Sequence, residues 1–216
     1  MGTQMRLIGL AVVLTCSTCA TAGGDKSVIG TYWVRYQPIQ VSGTLKGCQL
    51  NFMATTSDRT YRDGDIIAVN GSIVIRDYDK GPASTVLVLK VGLKDMTQQS
   101  SYERPAFSYL QTKTASTARA PQVAVDGDPG YKLFEYRVAD SSVVGVLKEM
   151  MIARRVTIGF SRRKGGMDVL VPLDLMVTDT EFTETQEVMR KTSPDAALGR
   201  LQCVGDVLKG VTAKHN

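Results

Sequence analysis

The chain has a single histidine among its 216 residues, His215, one position from the last residue. A Ser-His-Asp or Cys-His site needs its base held rigidly beside the nucleophile, and chain ends fray. Zinc is disfavoured by the same count, because one His and two cysteines expected to be bridged leave only carboxylates as ligands. Serine-lysine chemistry needs no histidine, and Ser161-Arg162-Arg163-Lys164 has S-x-x-K spacing. That spacing works where one helix brings both side chains together, whereas here it falls at an expected hairpin tip. No catalytic residue is assigned, and no cofactor is implied.

Carboxylates come in three close pairs: Asp63 with Asp65, Asp77 with Asp79, and Asp126 with Asp128. Alternate acids on a loop can converge on Ca²⁺, but none of the three completes a calcium loop with its sixth-position glycine and final glutamate. Asp-Gly-Asp is first of all turn chemistry. Asp126 and Asp128, in a loop containing Gly and Pro, are the best metal candidates of the three. The densest basic cluster is Arg154, Arg155, Arg162, Arg163 and Lys164. A hairpin would project Arg162, Arg163 and Lys164 from one tip, toward a phosphate, a lipid headgroup or an acidic glycan. A plain solvated turn is the competing account. Tyr32, Trp33 and Tyr36 offer either a stacking surface for sugars or ordinary cross-strand packing. Nucleic acid is not an expected partner, since aromatic and basic residues do not interleave.

These side chains sit in strand-and-turn texture. Short β-branched and aromatic runs broken by Gly, Pro, Asp and Asn extend from Thr31 to Arg137. Strands are expected at 31–36, 44–54, 107–112 and 132–137, and the apolar run 85–91 reads as a central strand buried on both faces. Asn70-Gly71 between two apolar runs predicts a two-residue hairpin, and 113–130 reads as a long mobile loop. Val143, Val144, Leu147, Met150 and Met151 repeat at helical spacing, giving a helix over about 142–153 with Asp140 or Ser141 as its cap. A second hairpin follows, Val156 to Ser161 against Val169 to Leu175, with Pro172 implying an edge strand or a bulge. After a charged connector over 178–192, Ser193-Pro194-Asp195 opens a terminal helix over about 194–209. The fold class is mainly β or α+β, an antiparallel sandwich-like domain carrying two packed helices.

Met1 to Ala22 has the three-part layout of a cleaved export signal: Arg6, an apolar run from Leu7 to Leu14, and a small-residue close at Ala20-Thr21-Ala22. The run is too short for a transmembrane helix, which needs roughly 20 apolar residues. One β-rich domain over 23–216 is expected, periplasmic or secreted. Cys16 and Cys19 raise a lipoprotein alternative, against which Thr15 stands as a large residue before the first cysteine. Without the signal, 25 basic residues face 21 acidic ones, a net +4, suited to loose attraction toward anionic envelope material. The two remaining cysteines, Cys48 and Cys203, favour a single disulfide in an oxidising compartment.

The second half, with its helix, Arg155-Val156-Thr157-Ile158-Gly159-Phe160, a turn, Val169-Leu170-Val171-Pro172-Leu173 and a terminal helix containing Leu198, Leu201 and Cys203, resembles exported proteins of the invasion-associated locus B type. The likeness covers residues 142–208 and is one of element order and hydrophobic pattern. It implies an exported, non-enzymatic β-sandwich and transfers no site residues. The expected function is therefore a binding or structural role in the cell envelope, with an anionic component or another protein as partner. A carboxylate-based hydrolase acting on an envelope polysaccharide is the alternative, and it would need two acids facing each other across a cleft.

Overall fold

The computed structural model describes residues 28–78, 85–97, 101–118, 121, 123–184, 187–194, 199, 202–207 and 209. The expected export signal, Cys16, Cys19, Asp79, His215 and much of the expected helix over 194–209 lie outside the described residues.

Six strands form the larger sheet: β1 (Gly30–Val41), β2 (Thr44–Asp58), β3 (Asp65–Asp77), β4 (Thr85–Asp95), β6 (Val123–Asp126) and β7 (Tyr131–Arg137). Their order is β1-β2-β3-β4-β7-β6, antiparallel throughout. A second sheet has the order β5-β8-β9, from Phe107–Gln111, Arg155–Ser161 and Val169–Asp174. A third pairs β10 (Val177–Phe182) with β11 (Val188–Thr192). The helix α1 spans Ser141–Ala153, and the described residues within 202–207 are also helical.

Period-two alternation makes the layers. Phe52 opposes Gly71 on β3, and Gly71 opposes Val91 on β4, so Leu50, Phe52, Val69, Ile73, Leu89 and Val91 share one inner face. Leu110, Ile158, Phe160, Val171 and Leu173 of the second sheet belong to the same buried cluster. Each such side chain taken out of water contributes about 1.5 to 3 kcal/mol. α1 adds Val143, Val146, Leu147 and Met150 to the cluster. Its chain reverses at Arg154, which adopts φ 53° and returns its N–H to the Met150 carbonyl. Cys203, Val204 and Val207 are buried, and the Cys48–Cys203 disulfide ties them to the inner face of β2. By chain entropy alone a bridge spanning 155 residues is worth about 4 to 5 kcal/mol.

The expected helix at 142–153 and the β8–β9 hairpin hold, Pro172 does sit on an edge strand of its sheet, and β4 is an inner strand as expected, although it is covered on one face only and leaves Val88, Lys90 and Lys94 part-exposed on the other. Three others are corrected. No hairpin forms at Asn70-Gly71, because β3 runs straight through it. Gly71 is required there for close approach, since a Cβ would lie 1.8 Å from the Lys90 carbonyl oxygen and 3.1 Å from the Phe52 ring. The two-residue hairpin falls instead at Ser42-Gly43, where φ is 50° and 77° and both residues accept the left-handed region. The region 113–130 is not one loop: β6 pairs with β7, Gln111 bridges Ser116, and the buried Thr117 hydroxyl accepts the Leu110 N–H at 2.9 Å. The expected connector over 178–192 is the β10–β11 hairpin. It contributes few apolar residues and is anchored on β1 through the Thr180 hydroxyl to the Tyr32 carbonyl (2.6 Å) and Arg190 to the Thr31 carbonyl (2.8 Å).

Replacing Gly71 with valine should lower unfolding free energy by at least about 1 to 3 kcal/mol, the range for overpacking a filled site. Chemical denaturation compared with the wild type measures it. A neutral result would mean that the strand has room to move away from β4.

Candidate functional site

The basic turn between β8 and β9 is where sequence reasoning placed anion binding, and the structure divides its three cations. Arg162 is not at the tip. Its side chain is 9 % exposed, with Nε 2.9 Å from Asp58 Oδ2, Nη2 2.8 Å from Asp95 Oδ1 and Nη1 2.8 Å from Glu103 Oε2. Asp58 and Asp95 are 0 % and 3 % exposed, so the guanidinium fork compensates two fully buried carboxylates. Arg62 closes the cluster from the β2–β3 loop, its Nε 3.0 Å from Asp95 Oδ2 though not aligned for a hydrogen bond. Asp58 also accepts the Tyr61 N–H at 2.9 Å through its other oxygen. The expectation that Arg162 binds an external anion is therefore corrected: all three of its nitrogens are engaged inside the protein.

The same contacts fix the turn. The Tyr61 hydroxyl donates to the Met167 carbonyl at 2.5 Å, and the Arg163 guanidinium stands 5.9 Å above the Tyr61 ring. Arg163 and Lys164 remain exposed and have no carboxylate partner among the described residues. Lys164 lines an open cleft of about 550 Å³ with Phe107, Lys132 and Asp168. Sequence reasoning missed Lys132, since it lies on β7, far from the turn in the chain. Its ammonium makes one long contact to the Ala106 carbonyl, at 3.5 Å, and lies 5.9 Å from the Phe134 ring. Phe107 is packed in place by the Tyr109 and Phe134 rings, at 5.8 and 6.0 Å. The cleft thus offers two ammonium groups and an aromatic wall, with Asp168 at one side.

Asp168 is held by the Tyr109 hydroxyl, which donates to it at 2.8 Å. Burial first, then the Asp168 bond and charge, push the Tyr109 phenol up to about 12. The Tyr109 ring lies flat over Gly159, where a Cβ would come within 2.3 Å of it.

The metal candidates fare differently. Asp126 lies 3.4 Å from Arg104, and Asp128 is bonded to Lys90, whose hydrogen bond and then charge hold that carboxyl below its usual range. Each acid is neutralised by its own cation, so the two do not converge on a shared centre. No group of three or more potential metal ligands occurs among the described residues. Ser161 and Lys164 are also separated in role, because the Ser161 hydroxyl donates to the Arg163 carbonyl inside the turn. Of the aromatic group, Tyr32 packs against Phe182 with ring centroids 5.9 Å apart, and Trp33 is covered by the Arg35 guanidinium at 5.0 Å.

Two outcomes follow from this geometry. Arg162→Ala strands Asp58 and Asp95 without their main counter-charge and should cost about 3 to 5 kcal/mol in denaturant unfolding. Arg163→Ala should cost less than about 0.5 kcal/mol. The Tyr109 phenol, raised above its unfolded value near 10, stabilises the fold fully below that pH, and the contribution is lost as pH rises toward 12. Tyr131 and Tyr136 are also raised, so ultraviolet tyrosinate titration should show several late-ionising phenols, one fewer in Tyr109→Phe. Comparisons with protein-family models, with curated proteins and with solved structures give no match to this chain.

Proposed function

We propose that this chain is an exported, periplasmic binding protein of the cell envelope, without catalytic activity, whose Lys132–Lys164 cleft receives an anionic group. One observation carries the reading: Lys132 and Lys164 line one open cleft with no ion-pair partner among the described residues, while the nearby buried acids are committed to Arg62 and Arg162. An unpaired ammonium beside an apolar wall gains most from a ligand that carries both a negative charge and a nonpolar part. The buried carboxylates are spent on arginines, so nothing here favours acid-base hydrolysis of a polysaccharide. The 22-residue export pattern and the Cys48–Cys203 disulfide support an oxidising compartment. The resemblance over 142–208 points the same way.

The probe is octyl phosphate, an anion with an apolar tail, titrated against protein recovered from the periplasm of an expressing bacterium. Intact mass should begin at Gly23, and binding should saturate and weaken about tenfold in Lys132→Gln/Lys164→Gln, the loss of roughly one charge-assisted contact. Equal binding by the double variant, or retention of Met1 in the exported fraction, would reject the proposal.

A further inference from the structure

The larger sheet has a second, outward face, opposite the layer formed by β5, β8 and β9. Its occupants follow from the register. The row Arg35–Asn51–Ser72–Lys90–Leu133 crosses β1, β2, β3, β4 and β7, and the next row runs Trp33–Met53–Asn70–Gly92–Tyr131. Toward one end Arg76 and Arg137 flank Val86, and toward the other Lys94 opposes Ala68. The charged residues at these outward positions are Arg35, Arg76, Lys90, Lys94 and Arg137 against one acid, Glu135. Lys90 is neutralised by Asp128. Arg35, Arg76, Lys94 and Arg137 have no carboxylate partner among the described residues, and Arg35 and Arg76 rest instead over the Trp33 and Tyr78 rings.

The spacing of these charges selects the kind of anion. Arg76 and Arg137 stand two strands apart, about 10 Å, and Lys94 lies eight residues along β4 from Val86, roughly 26 Å away. One phosphate cannot bridge such distances, whereas an extended chain bearing a negative charge at intervals can. Between the cations lie amides, Gln49 bonded to Asn51 at 2.6 Å and then Asn70, which are suited to sugar hydroxyls, beside the half-buried Met53, Val74 and Val88. The face is broad and open rather than a pocket, as a polymer requires. Val123 and Val125, exposed apolar residues of this face, lie together on the edge strand β6 and give a bilayer only a small footing.

We infer that the outward face of the six-stranded sheet binds a linear acidic polysaccharide, with Arg76, Lys94 and Arg137 as its spaced anchors. The inference rests on the envelope-binding reading, and it concerns a surface separate from the Lys132–Lys164 cleft.

The test measures binding of the full exported protein to polygalacturonate, with neutral dextran and phosphatidylglycerol vesicles as the alternative probes. Wild-type protein should bind polygalacturonate, weaken steeply as salt rises, and ignore dextran. Arg76→Gln/Lys94→Gln/Arg137→Gln should weaken binding by about tenfold or more and flatten the salt dependence. Arg76→Lys/Lys94→Arg/Arg137→Lys should retain it, and the single variant Arg137→Gln, at an exposed position, reports a smaller loss should the triple variant misfold. Lys132→Gln/Lys164→Gln should bind polygalacturonate as wild type does. Undiminished binding by a folded triple variant, or vesicle binding without polygalacturonate binding, overturns the inference. Loss of polygalacturonate binding only in the cleft variant also overturns it while leaving the cleft proposal standing. Failure of octyl phosphate binding with polygalacturonate binding intact rejects the cleft alone.

Discussion

The Arg162 guanidinium is the joint on which this architecture turns. Its three nitrogens reach the end of β2 at Asp58, the end of β4 at Asp95 and the segment after β4 at Glu103, while its own backbone leaves β8 of the opposing sheet. Hydrophobic burial holds the two sheets together but is non-directional and says little about how one sheet sits on the other. Planar, buried, hydrogen-bonded charge is directional. An arrangement that displaced β8 along the larger sheet would leave Asp58 and Asp95 buried without compensation, at a cost of several kcal/mol each. The cluster therefore disfavours such a displacement, and it anchors the turn that carries Arg163 and Lys164.

Both of these sheets share a second, recurring device. Phe52 lies over Gly71, Tyr131 over Gly92 and Tyr109 over Gly159, each an aromatic ring set on a cross-strand glycine. A glycine inside a strand weakens it, since it packs no side chain and frees the unfolded backbone. A ring laid across the gap fills the missing volume and shields the backbone hydrogen bonds beside it. At Tyr109 the same placement brings the phenol to Asp168 and so fixes one side of the cleft.

Charge is divided between two tasks. Arg62 and Arg162 are used up in holding carboxylates inside the fold, and Lys90 and Arg104 quiet the acids at 128 and 126. Lys132, Lys164, Arg76, Lys94 and Arg137 are left without such partners among the described residues. These pairs withdraw cations and acids together, so the net charge stays mild while the remaining cations face solvent.

The sequence alone determined the local grammar. Short β-branched and aromatic runs marked β1 and β2, a continuous apolar run marked β4, alternation marked β8 and β9, helical spacing marked α1, and the count of two cysteines outside the export pattern marked the Cys48–Cys203 bridge. Each of these signals is carried by residues close in the chain, or by elimination. Tertiary structure decided everything that rests on a distant partner. Asn70-Gly71 became strand, because the close approach of β4 to Gly71 outweighed a local turn preference. The weakly apolar hairpin of β10 and β11 was stabilised by bonds to β1 that its own residues do not announce. Arg162, one letter from Arg163, went inside while its neighbour stayed out, since successive residues at the end of a strand face opposite sides and only one side held Asp58 and Asp95. Lys132 joined Lys164 for the same reason: the two meet where two sheets meet, a relation between surfaces that chain order does not record.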